Sequence, residues 1–201
     1  HYLRKLGYKT TLAGKMHFVG SDQLHGFEER LTTDIYPSDF AWTADWEQTD
    51  EPYAPSVMSL LSVVEAGHCE RNLQIDYDEE VFSAAKKEMF DHARSKDDRP
   101  FMLHVSFTQP HNPFVAGRKY WDMYEGLDIP EPEVAYIDYK ERDPWSQRYY
   151  KTIRQDEFDI TADQLQTARR AYFAMVSHLD ELVGGLMSTL KSIGQLENTY
   201  I

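Results

Sequence analysis

One apolar stripe near the C-terminal end constrains this chain more than any other feature. Leu165, Ala168, Tyr172, Met175, Val176, Leu179, Leu182, Val183, Leu186, Leu190 and Ile193 recur every three or four residues. That spacing predicts one long helix with a single buried face. Thr161 and Gln164 read as a capping box that starts it, and Gly194 is placed to stop it. Each glycine of the internal pair Gly184-Gly185 costs about 1 kcal/mol against alanine, so the pair predicts close packing against a neighbour.

The rest of the chain alternates helix and strand. Residues 1–6 read as a last helical turn ended by Gly7, and Tyr8 to Lys15 as a strand. Residues 20–72 carry little periodicity but many aromatics, among them Tyr36, Phe40, Trp42, Trp46 and Tyr53. A structureless loop of that length is uncommon inside a compact domain, so a partly ordered excursion near a site is expected. Asp76 with Glu79 offers a second helix start, followed by Val81, Phe82, Ala85, Met89 and Phe90 at helical spacing. Phe101 to Phe107 suits a buried strand, and the prolines of Gln109-Pro110-His111-Asn112-Pro113 forbid continued pairing. Residues 117–126 suit a short helix, 127–160 a long surface excursion, and Asn198 to Ile201 the start of a strand. The alternation argues for an α/β fold with a largely parallel sheet.

A formal net charge of -13 repels phosphate backbones, so nucleic acid is not expected as a partner. No stretch approaches the run of about 18 apolar residues that a membrane helix needs, and no membrane partner is expected. The single cysteine, Cys69, can form neither an internal disulfide nor a cysteine zinc cluster, and fits a reducing, cytoplasmic setting. His1 to Leu6 reads as the end of a helix already under way, so the chain is expected to be an internal part of something longer.

In an open α/β sheet, ligands gather off the carboxyl ends of the strands. Two segments leave such ends with functional side chains: Lys15-Met16-His17, and His111 between Pro110 and Pro113. In extended backbone Lys15 and His17 project to the same side. An ammonium is a compact charge for a tetrahedral oxyanion, and an imidazole can bond an anionic oxygen or move a proton near neutral pH. The prolines would fix where His111 points. On spacing alone, a surface lysine beside a partly buried histidine, and a histidine capping a turn, explain the same residues. His25, His92, His104 and His178 show no ligand spacing and read as structural or solvated.

Three segments, taken in order, resemble the sulfatases of the alkaline-phosphatase superfamily. Gly14-Lys15-Met16-His17-Phe18-Val19-Gly20, after the strand Gly7 to Ala13, is similar to the second sulfatase signature. Phe107 to Pro113 resembles the family's Pro-His-x-Pro segment, and residues 171–201 its long helix. Within the family, Asp22 to Pro37 and Asp39 to Trp46 look closest to choline-sulfatases. The resemblance implies an alkaline-phosphatase-like sandwich with a mostly parallel central sheet, incomplete over residues 1–201. It implies the central part of one catalytic domain, acting on a small-molecule sulfate ester, with choline sulfate as the candidate. The full-length parent would be a homo-oligomer.

By position, the resemblance makes Lys15 and His17 the residues that engage the sulfate and the nucleophile. It makes His111 the histidine facing the sulfate and leaving-group oxygen, and Trp42 a tryptophan that holds a trimethylammonium head by cation–π attraction. A core or interface tryptophan is the plainer reading of Trp42. A second histidine of the choline pocket has no counterpart in Tyr53 to Met58, which leaves a related sulfate or phosphonate ester open. The family also implies a formylglycine nucleophile and a calcium or magnesium ion. Cys69-Glu70-Arg71-Asn72 lacks the formylglycine motif, and no metal ligands are assigned, so both groups are expected from outside this chain. The alternatives are a phosphonate or phosphate ester hydrolase of the same superfamily, and a non-catalytic fragment with a partial anion site.

Overall fold

A computed structural model describes residues 1–36 and 59–201. The chain divides into two compact units. The first comprises His1–Phe40, Arg71–Pro110 and Val176–Ile201, the second Ala41–Glu70 and His111–Met175.

The first unit is built on three parallel strands, β1 (Lys9–Gly14), β2 (Glu29–Arg30) and β4 (Phe101–Ser106), in the order β2-β1-β4. A short helix, α1 (Tyr2–Lys5), precedes β1. Strand β1 is central and, from Thr10 to Gly14, buried. Its register on β4 runs from Lys9 opposite Phe101 to Gly14 opposite Ser106, so the two strands end level with each other. Helix α3 (Leu73–Arg94) lies against both strands. Ala13, Val81, Ala85, Met89, Leu186 and Leu190 form the core beneath it. Burial of that many aliphatic side chains is the main stabilising term, worth about 1.5–3 kcal/mol per large side chain.

Helix α3 starts earlier than Asp76. Its N-cap is Asn72, whose side chain accepts the Ile75 amide at 2.9 Å. The buried stripe already begins at Gln74 and Ile75, which draws the helix back by a turn. Asp76 and Glu79 hold Arg71 instead, at 2.6 and 2.7 Å.

The long helix, α6, runs from Ala162 to Ser192. Its capping box closes as the sequence predicts: the Gln164 amide donates to Thr161 Oγ1 at 3.2 Å, and the Thr161 amide to Gln164 Oε1 at 3.0 Å. The glycine pair divides into two roles. A Cβ on Gly185 would stand 2.6 Å from Phe82 Cζ, whereas one on Gly184 would meet nothing within 4 Å. Gly184→Ala should therefore stabilise the protein by up to about 1 kcal/mol through helix propensity. Gly185→Ala should destabilise it by about 1–2 kcal/mol through overpacking on Phe82. Chemical denaturation of the two variants in the full-length protein checks the opposite signs. After Gly194 the chain forms a 3-10 turn, Leu196–Asn198, rather than a strand. The Leu196 side chain packs on the core there, and that contact favours the turn.

The second unit holds a parallel pair, β3 (Gly67–Cys69) and β5 (Val115–Gly117), with α2 (Leu61–Val64) before β3 and α4 (Arg118–Asp122) after β5. Ala116, Tyr120, Ala174 and Met175 form its core. The segment expected to be a plain excursion, 127–160, contains α5 (Pro144–Thr152). Pro144 sits at the helix start, and the Asp143 carboxylate accepts the amides of Trp145 and Ser146. No helix among the described residues is long and apolar enough to cross a membrane.

Candidate functional site

The level ends of β1 and β4 bring two chain exits together in the first unit: Lys15-Met16-His17 from one strand, Phe107-Thr108-Gln109 from the other. The first exit depends on Gly14. Its φ is +113°, and a Cβ there would lie 2.0 Å from the Ser106 carbonyl oxygen. The same carbonyl accepts the Lys15 amide at 3.0 Å.

Lys15 and His17 do not share an extended backbone. The strand ends at Gly14, and His17 lies in the left-handed region at φ 56°. The cause is Asp34. One of its carboxylate oxygens accepts both the Met16 amide at 3.0 Å and the His17 amide at 2.7 Å, which curls the chain around it. The Arg30 guanidinium fixes Asp34 in turn at 3.1 Å, and also reaches Gln23, Thr32 and the Gly14 carbonyl. Burial opposes ionisation of Asp34, but the two amides and Arg30 outweigh it and hold its carboxyl below the ordinary carboxylate range.

The His17 ring donates from Nδ1 to the Tyr36 carbonyl at 2.8 Å. That bond places the proton of the neutral ring on Nδ1 and the basic lone pair on Nε2. Lys15 is half-buried, its Nζ 5.4 Å from the centre of the Tyr36 ring. Among the described residues the ammonium makes neither an ion pair nor a hydrogen bond. Burial lowers its pKa from the ordinary value, against the attraction of Asp34 and Asp78.

The second exit is held by Asp78 of α3, which is fully buried. Its two oxygens accept the Thr108 amide at 2.6 Å and the Gln109 amide at 2.9 Å. Burial pushes this carboxyl up, and the two amides oppose the push. The Gln109 side chain accepts from His178 Nδ1 at 2.9 Å, so His178 is a buried structural group, as the sequence predicts.

His111 belongs to the second unit, where it is exposed and donates from Nδ1 to the Asn112 carbonyl at 2.6 Å. Trp42 lies outside the described residues. Sequence reasoning missed Asp34, Asp78 and Arg30. Asp78 left a signal: it is a carboxylate on the buried stripe of a helix, between Tyr77 and Val81. Among the described residues no group of three or more His, Cys, Asp or Glu could hold a metal ion. Asp78 gives both its oxygens, and Asp34 its Oδ2, to backbone amides at the strand exits, while Asp34 Oδ1 is buried without a hydrogen-bond partner among the described residues. What the first unit offers is a half-buried cation, an oriented imidazole and two rigid turns, an arrangement suited to receiving an anion.

The sulfatase family model matches residues 1–201. The chain is 49% identical over 204 residues to a choline-sulfatase of Rhizobium meliloti (strain 1021), covering all of this chain and 40% of that protein. It is 29% identical over 119 residues to a multifunctional alkaline phosphatase superfamily protein of Trinickia caryophylli, covering 54% of this chain and 23% of that one. A protein solved in complex with its substrate D-glucosamine-2-N, 6-O-disulfate shares the fold at a TM-score of 0.55 and 17% identity, over 98% of this chain and 47% of that one. The chain thus spans less than half the length of each of these proteins.

Proposed function

This chain is a member of the sulfatase family, with an alkaline-phosphatase-like α/β fold, and from that premise we propose that it forms the sulfate-receiving part of a hydrolase for small sulfate esters. The observation that carries the reading is the half-buried Lys15 ammonium, which meets no counter-ion among the described residues. Burial strengthens the attraction between such a cation and an anionic oxygen. His17 bonds or exchanges a proton with the sulfate or the attacking group through Nε2, its ring held by the Tyr36 carbonyl. His111 is assigned to the leaving-group oxygen by its match to the Pro-His-x-Pro segment. Sulfatases generally use a formylglycine and a divalent metal. Among the described residues no group of three or more His, Cys, Asp or Glu could hold a metal ion, and Cys69 lies outside the formylglycine motif. By the resemblance, both groups would be supplied by other segments of the full-length protein.

Choline sulfate is the proposed substrate, supported by the likeness to the choline-sulfatase, with Trp42 taking the trimethylammonium group. A phosphonate or phosphate ester is the second reading, and the likeness to the multifunctional protein supports it. Turnover of choline sulfate, an aryl sulfate and a matched aryl phosphonate by the full-length protein separates them. Choline sulfate should lead the aryl sulfate by about 3–30-fold in kcat/KM if an aromatic face binds the cation. A faster phosphonate would favour the second reading.

A further inference from the structure

The two oxygens of Asp34 have different surroundings. Oδ2 accepts the Met16 amide at 3.0 Å, the His17 amide at 2.7 Å and the Arg30 guanidinium at 3.1 Å. Oδ1 is buried and meets no hydrogen-bond donor among the described residues. It lies 3.9 Å from His17 Nδ1, and only 5% of the Asp34 side chain is exposed. A buried acceptor left without a donor costs about 1–3 kcal/mol. Shaping the turn does not require that cost. An asparagine would offer one oxygen to the same three donors without setting a second acceptor against the His17 ring. Arg30 accounts for the charge, but its bond is to Oδ2 and leaves Oδ1 unused.

We propose that Asp34 is the positioning residue of His17, with Oδ1 as the acceptor for the Nδ1 proton of the charged ring. This rests on the reading of His17 as a group that takes up a proton at Nε2. In the neutral ring Nδ1–H goes to the Tyr36 carbonyl at 2.8 Å. When Nε2 takes a proton from the attacking group, one O–H bond breaks, one N–H bond forms and Nδ1 keeps its own proton. The imidazolium is then drawn to the carboxylate beside it. A tilt of about 1 Å brings the 3.9 Å pair to the roughly 2.7–2.9 Å of a charge-assisted bond. Such a bond is about twice as strong as a neutral one, so it stabilises the charge that the ring acquires. The His17 amide and Arg30 hold the carboxylate through Oδ2 while the ring moves. Lys15, two residues upstream, is the other charged group on this exit.

The test is Asp34→Asn in the full-length protein. The two amides and Arg30 are all donors, so they keep the carboxamide oxygen at the Oδ2 position. The amide nitrogen then takes the Oδ1 position, and only the acceptor facing His17 is lost. The kcat for a sulfate ester should fall by about 100-fold, the lower end of what a positioned acid–base group contributes, with KM little changed. A residue that only shapes the turn would be replaced well by asparagine. An unchanged kcat in the folded variant therefore overturns the proposal. A second measurement needs neither substrate nor variant. Crystals of the wild-type full-length protein at a pH of about 5, where an ordinary histidine is charged, should show Nδ1 moved from Tyr36 onto Oδ1. The Asp34 carboxyl, held below the ordinary carboxylate range, stays ionised there. A pair still 3.9 Å apart overturns the proposal even if Asp34→Asn does not fold. Closure of the pair in a protein that turns over no sulfate ester would sink the functional reading and spare the pair. Turnover without closure would do the reverse.

Discussion

Gly14→Ala is expected to cost the full-length protein about 3–5 kcal/mol of stability, from backbone strain together with overpacking. Two independent observations set that size. The residue sits at φ +113°, which an L side chain rarely adopts, and its Cβ would meet the Ser106 carbonyl oxygen at 2.0 Å. That oxygen is backbone, so no rotamer change can move it. The central strand would have to part from β4 at the point where both chains turn out of the sheet. The Lys15 amide would then lose its 3.0 Å bond to Ser106. Thermal unfolding measures the loss. In any fraction that folds, activity should also fall, because the displaced exit carries Lys15 and His17. Gly20, also at positive φ but with open space around it, is the control: alanine there should cost about 1 kcal/mol, through φ alone. Equal losses at the two positions would show that the close approach to Ser106 adds nothing.

The contrast between these glycines marks where the sequence can be read and where it cannot. Elements carried by local periodicity are plain in it. The α6 stripe, its Thr161–Gln164 box and the apolar run of β4 all appear where spacing puts them. The Gly185 approach to Phe82 follows from the rarity of glycine pairs inside helices. What spacing cannot carry is a contact between distant segments. The shape of Lys15 to His17 is dictated by the Asp34 carboxylate, far along the chain, so the extended reading of that segment does not hold. Asn72 displaces Asp76 as the cap because buried positions upstream of Asp76 decide where α3 begins. Lys15 and His17 are still legible, because an ammonium and an imidazole beyond a strand end are visible as residue types whatever turn they take.

The other large effect is expected at Lys15 itself. Lys15→Met keeps the apolar stem and removes the charge, and should lower kcat/KM for a sulfate ester by about 100–1000-fold, the range seen when one preorganised charge-stabilising group is lost. Stability should respond differently. Burial lowers the pKa of this lysine, so the folded state gives up its proton before the unfolded state does. Between the folded value and the ordinary 10.5, the unfolded chain therefore binds more protons, and stability rises with pH. Below both values the charge is a net cost to the fold. Removing it should leave the thermal midpoint unchanged or slightly raised, although Asp34 and Asp78 lose a favourable field. The pH dependence follows the same sign: the wild-type protein should hold its anion affinity on the acid side of the Lys15 titration and lose it as pH rises through that lowered value. A residue whose charge served the fold would behave in the opposite way, with stability falling and turnover preserved. Parallel measurement of unfolding and turnover in Lys15→Met distinguishes the two, and a large stability loss with unchanged kcat/KM would remove Lys15 from the site.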